Sequence, residues 1–181
     1  MKSTDILVEE HNVILKALAV LGALADRASR GEPVDRAPVE RLVTFFREFA
    51  DRFHHAKEEN ELFPFMVSCG MPRNAGPIAV MLHEHEQGRA LVGKIADAAS
   101  KLDSSDGRGQ FADAAHGFED LLTHHIMKEN EILFPMGARL MNAEADDRLM
   151  VAFDQRERAA LGEGRAAFLR AEVESLAKEV L

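Results

Sequence analysis

The 181 residues contain no tryptophan and no tyrosine, and a single cysteine, Cys69. Without a phenol or an indole, no side chain can act as an aromatic radical relay or as a phenolate metal ligand. The near-ultraviolet is also left almost empty, so charge-transfer bands of a bound metal would stand out. One cysteine cannot close an internal disulfide, which favours a reducing compartment. No apolar run approaches the roughly 18 to 20 residues needed to cross a bilayer. The opening MKSTDILVEEH lacks the sustained apolar stretch of a signal peptide. Positive charge is also scarce: 22 Lys and Arg against 31 Asp and Glu leave a net charge of −9. That balance argues against nucleic acid or an anionic membrane as partner. The expectation is a soluble, cytoplasmic protein, and its 46% apolar content excludes disorder.

Strand-like alternation is absent too, and helical periodicity runs nearly throughout. Ser3, Thr4 and Asp5 offer N-caps for a first helix ending near Arg30. Pro38 opens a second that reaches about Met66, a third runs from near Pro77 to about Ser104, and a fourth from about Arg108 to Met141. Short connections favour antiparallel neighbours, so the predicted fold is all-α, an up-down-up-down four-helix bundle over residues 1–142. Residues 143–160 and 165–181 read as two further helices. This extension, residues 143–181, either caps the bundle or forms a homodimer contact.

What is present in this sequence is a repeat. Residues 54–64, HHAKEENELFP, and residues 125–135, HIMKENEILFP, share the pattern H-x-x-K-E-x-x-x-L-F-P. His and Glu four residues apart lie on one helix face, and two such pairs are how a bundle presents ligands to a pair of metal ions. His55 and Glu59 form an equally spaced pair, but their counterparts are Ile126 and Asn130, so the repeat selects His54, Glu58, His125 and Glu129. On the first and third helices, His11 and His85 sit among apolar neighbours on the same faces. In an antiparallel bundle all four histidines fall at about one depth. The remaining four, His55, His83, His116 and His124, neighbour charged residues and read as solvent-facing. Lys57 and Lys128 read as outward charges, the Leu-Phe-Pro triplets as packing and helix termination. Glu61 reads as an acceptor for an imidazole N–H or as a helix-end charge, and Cys69 as a loop residue with no activating partner.

The segments EEH at Glu9–His11, HHAKEENELFP, EHEQGR at Glu84–Arg89 and HHIMKENEILFP resemble the hemerythrin-like, or HHE cation-binding, domains over roughly residues 5–140. The resemblance implies a bundle holding two non-haem irons joined by carboxylate and oxo or hydroxo bridges. His11, His54, His85 and His125 would be terminal ligands, and Glu58 and Glu129 the bridges. The oxygen carriers of the family have a second histidine on the third helix; here Met81 and Arg89 stand four residues either side of His85, and neither is a suitable ligand for ferric iron. Zinc and manganese accept the same donors.

Such a site leaves open positions for a small diatomic or peroxide ligand. The first expectation is therefore a protein that binds or senses dioxygen, nitric oxide or peroxide, told by a persistent, reversible adduct. The second is an enzyme that disproportionates or reduces peroxide or nitric oxide, told by turnover. The third is iron delivery for iron–sulphur cluster repair. It ranks last because repair proteins of this resemblance carry an additional cysteine-bearing N-terminal domain, whereas this sequence opens at its first helix.

Overall fold

The computed structural model describes residues 2–181, and among them the regular structure is entirely helical. Six rods follow in order: α1 (Ser3–Ser29), α2 (36–68), α3 (Gly76–Ala99), α4 (105–140), α5 (Ala143–Ala160) and α6 (Arg165–Val180). The first four form the bundle, with α4 packed against both α1 and α3, and α3 also against α2. The C-terminal pair lies on the other side: α5 and α6 each touch α1 and α2. No described helix is long and apolar enough to cross a membrane.

Helix ends follow local chemistry. α1 is capped at Lys2, whose backbone N–H donates to the Asp5 carboxylate at 2.7 Å. Ser3, expected as a cap, instead donates from its N–H and hydroxyl to Asp146 at 2.9 and 2.6 Å, fastening α1 to α5. Ser104 caps α4 by accepting from Gly107 N–H at 3.0 Å, and Asn142 caps α5 through Ala145 N–H at 2.8 Å.

Two rods are not uniformly α-helical. α2 widens to π-helix over Phe46–His55 and again over Glu58–Leu62, and α4 does so over Glu129–Leu133. Pro64 and Pro135 occupy the first turn of the α-helical segments that follow, Phe63–Ser68 and Phe134–Leu140. A proline removes one N–H and crowds the carbonyl four residues back. A preceding wide turn shifts the hydrogen-bond register and accommodates both. The prolines therefore mark a register change within each rod rather than its last turn.

Two apolar clusters lie either side of the polar level. The larger joins Ile14, Leu18 and Leu21 of α1 to Phe45, Phe46 and Phe49 of α2, Phe111 and Phe118 of α4, and Leu169, Val173 and Leu176 of α6. The smaller gathers Leu7, Leu62, Phe63, Met66, Ile78, Met81, Leu133, Phe134, Leu149 and Phe153. Burial of these side chains supplies the main driving force for folding. Between them runs one slab of buried polar residues.

Candidate metal centre

That slab contains His11, His54, Glu58, His85, His125 and Glu129, all buried, so the structure brings together every residue the repeat and the helix faces selected. Their donor atoms form two groups that meet at Glu58: His11, His54, Glu58 and Glu129 in one, and His55, Glu58, His85 and His125 in the other. Within each group the donor atoms lie within 4.8 Å of one another. Two such groups with a shared carboxylate could hold a pair of metal ions.

Each of the four expected imidazoles is held by its Nδ1. His54 Nδ1–H donates to Glu10 Oε2 at 2.9 Å, and His125 Nδ1–H to Glu84 Oε2 at 3.0 Å. His11 Nδ1–H donates to Asn130 Oδ1 and His85 Nδ1–H to Glu59 Oε1, both at 2.7 Å. The bundle thus has an approximate internal two-fold relation. Glu10-His11 corresponds to Glu84-His85, Lys57 to Lys128, and Glu59 to Asn130. Lys57 Nζ donates to Glu10 Oε1 at 2.5 Å, and Lys128 makes the equivalent pair with Glu84. Phe134 stacks on His11 and Phe63 on His85 at 5.3 and 6.1 Å between centroids. The repeated lysine and phenylalanine therefore serve the site and its walls, which neither an outward charge nor helix termination would do.

With Nδ1 as donor, Nε2 carries the lone pair in the neutral ring. His11 Nε2 and His54 Nε2 are 2.9 Å apart, and those of His85 and His125 3.2 Å. Around them lie both oxygens of Glu58 and both of Glu129, fully buried and without a hydrogen-bond partner. The nearest approaches are 3.2 Å from Glu129 Oε2 to His11 and His125, and 3.4 Å from Glu58 to His54 and His85. This is a pocket of acceptors without a donor, and only cations relieve it, protons or metal ions.

The electrostatics of these residues say the same. Burial disfavours charge on His54, but Glu58 and Glu10 override it and hold the ring at a pKa of about 9. His125 is likewise raised against burial, by Glu129 and Glu84, to about 10. Burial would raise both carboxyls. Contact with His54 and His85 nevertheless holds Glu58 well below the usual range, and His125 and His11 lower Glu129 despite the added charge of Glu58. Protons thus fill a role that metal ions could take over, and metal binding would release them.

Four expectations need correction. His55, read as solvent-facing, is buried with its ring 3.9 Å from that of His85. It lies in a π-helical stretch, where successive residues turn by roughly 80° rather than 100°, so two consecutive histidines both face inward. Lys57 is buried rather than exposed, with Nζ 3.6 Å above the Phe53 ring and Phe153 of α5 on its other side. Glu61 does not touch an imidazole; it accepts from Arg156 Nε of α5 at 2.7 Å. Ile132, which α-helical spacing seven residues after His125 would place on the same face, is 51% exposed, because the π turn rotates it outward. Arg89 orients an acceptor, donating to Glu59 at 2.7 Å and to Asp51 at 2.8 Å.

The residues that sequence reasoning missed are Glu10, Glu59, Glu84 and Asn130. A signal existed for two of them: the dipeptide Glu-His recurs at 10–11 and 84–85. His83 and His124 are exposed, and His116 pairs with Asp26 at 3.0 Å on the surface. Cys69 is exposed.

Comparison with known proteins agrees with this geometry. The hemerythrin HHE cation-binding domain matches residues 2–137. The iron–sulphur cluster repair protein DnrN of Neisseria gonorrhoeae is 31% identical over 136 residues, covering 71% of this chain and 85% of that protein. The iron–sulphur cluster repair protein YtfE of Salmonella paratyphi B is 30% identical over 134 residues, 70% of this chain but only 59% of the relative. No solved structure matches.

Proposed function

The chain belongs to the hemerythrin HHE cation-binding family, and from that premise we propose that it is a cytoplasmic non-haem di-iron protein serving iron–sulphur cluster repair. The supporting observation is the buried pocket of acceptors, in which two carboxylates and the Nε2 atoms of four oriented histidines have no donor between them. The donor set fits iron: imidazole and carboxylate without thiolate, on a chain whose one cysteine is exposed in a loop. In this reading His11, His54, His85 and His125 are terminal ligands, and Glu58 and Glu129 join the two ions. Bound iron would supply a ferrous–ferric pair able to take up a small oxidant or to be passed on. Glu10, Glu59, Glu84 and Asn130 fix the tautomer in which each Nε2 is free; against burial, His54 and Lys57 keep Glu10 ionised, and His125 and Lys128 do so for Glu84. The C-terminal pair turns its apolar face to α1 and α2, so its role in this reading is to cap the bundle rather than to join two copies.

Repair is favoured because both relatives carry that function in their names, which gives the third expectation the support its ranking lacked. The test is to mix iron-loaded protein with an apo iron–sulphur protein under anaerobic conditions and follow cluster absorbance. Recovery faster than with an equal amount of free ferrous iron is expected; recovery no faster would defeat the repair role. A second reading, binding or sensing of a small oxidant, has its own observation. A cavity of about 250 Å³ between α2, α3 and α4 is lined by His55, Arg89 and Phe118 and reaches the edge of the metal site. A reversible optical change with nitric oxide or peroxide, without iron transfer, would select it.

A further inference from the structure

The two halves of the site are not equivalent, and His55 makes the difference. Its counterpart in the repeat is Ile126, which cannot ligate. The π-helical turn of α2 carries the His55 ring inward, parallel to His85 within 16° and with centroids 3.9 Å apart, and 5.9 Å from the His125 ring. It is buried, yet its Nδ1 has no hydrogen-bond partner. The nearest acceptor, Asp51 Oδ1, is 3.6 Å away, beyond hydrogen-bonding distance. Asp51 is itself held by Arg89 at 2.8 Å. A donor atom of the same ring lies within 4.8 Å of those of Glu58, His85 and His125. Its other aspect forms part of the wall of the 250 Å³ cavity, with Asp51, Gly88, Arg89, Val92 and Phe118. A buried, unpartnered imidazole nitrogen of this kind needs a purpose. Here the ring stands between a donor cluster and the cavity that leads to it.

We propose that His55 is a fifth imidazole of the dimetal site, a displaceable ligand to the metal held by His85, His125 and Glu58. The metal held by His11, His54, Glu58 and Glu129 has no such ligand. Small molecules entering by the cavity must move His55 aside, and Asp51 stands ready to accept its Nδ1–H when it turns. The proposal rests on the dimetal reading above. It replaces symmetric halves, each with two histidines, by a set of three and two.

The test uses protein loaded anaerobically with iron-57, as wild type and as His55→Ala, with His55→Gln as a space-filling variant should the alanine fail to fold. Metal per chain is measured first. Wild type holding fewer than two irons defeats the dimetal reading itself, and this proposal with it. Given two irons, the Mössbauer spectrum of wild type is expected to show two doublets of equal area. The variant is expected to shift one doublet and leave the other, or to lose one iron. Azide titrated into the oxidised protein is expected to bind on the order of tenfold more tightly to the variant, because a position shared with His55 is free only part of the time. Added imidazole should reverse that gain. Identical spectra and azide affinity in wild type and variant would overturn the proposal, as would loss of both irons from a variant that keeps its helical circular dichroism.

Discussion

The same lysine–glutamate–histidine chain is built twice in this molecule, but in two different environments. On one side, Lys57, Glu10 and His54 lie between α1 and α2 with α5 laid over them, and lysine and glutamate are each 2% exposed. On the other, Lys128, Glu84 and His125 lie between α3 and α4 without the cover of α5, and Lys128 is 33% exposed. The motif is the same; its burial is set by where the C-terminal pair packs. The sealed half is backed by Phe53 and Phe153 and has a neutral amide, Asn130, behind His11. The open half has a carboxylate, Glu59, behind His85, an extra histidine and a cavity. A repeat with one covered and one accessible half would keep one bound metal from solvent while leaving the other reachable.

The largest effect expected is from a carboxylate that both halves share. Glu58→Ala should abolish binding of both metals, whereas His11→Ala should weaken the sealed half first; metal analysis after dialysis against a weak chelator separates the two. Equal loss in both variants would show that the halves are not separable.

The lysines test burial next. Lys57→Ala leaves the buried Glu10 with His54 as its one remaining partner and should destabilise the fold by about 3 kcal/mol, the low end for breaking a buried pair. Lys128→Ala removes a half-exposed pair and should cost about 1 kcal/mol or less. Urea unfolding of the two variants measures the gap, and equal midpoints would contradict the assignment of α5 as a seal.

A smaller effect concerns pH in the metal-free protein. His54 and His125 have folded pKa values of about 9 and about 10, above the unfolded value of about 6.5. The stabilisation their charge provides is therefore complete below about 6.5 and is lost as pH rises through 9 and 10. Glu58 and Glu129 are depressed, so their contribution is present above the ordinary carboxylate pKa and is lost in acid. Metal-free protein should be most stable near pH 5–6, whereas metal affinity should rise with pH as protons cease to compete. Thermal melts with and without metal across pH 4–10 check this. A metal-free stability that climbs above pH 8 would contradict it.

The finest contrast is between the acceptors behind His85 and His11. Glu59→Gln makes the open half resemble the sealed one, and should weaken metal binding about tenfold, the lower end for a group behind a ligand. Asn130→Asp should do the opposite in the sealed half. Competition with a coloured chelator resolves such changes.

These contrasts also show what the sequence could and could not reveal. That the six expected residues gather in one buried slab was legible, because the repeat and the apolar stripes are properties of single helices. So was the rank of His83 and His124 as surface residues. His55 was not, because the repeat gives it no counterpart and its neighbours at 100° per residue are charged, whereas the stretch is π-helical; the proline after each repeat was the available hint. Lys57 was not, because what buries it lies some hundred residues downstream, in Phe153 and its neighbours, and no local pattern reports tertiary cover. Glu61 failed for the same reason, since its partner Arg156 comes from α5. Glu10 and Glu84 were within reach, because the Glu-His dipeptide repeats at the depth where His54 and His125 cross.

The most direct test of the central claim is the metal content of untagged protein purified without oxygen. Two irons per chain, released together with protons on acidification, is the predicted result. One metal per chain, stoichiometric zinc, or none would contradict it; with none, the buried carboxylates would be neutralised by protons alone.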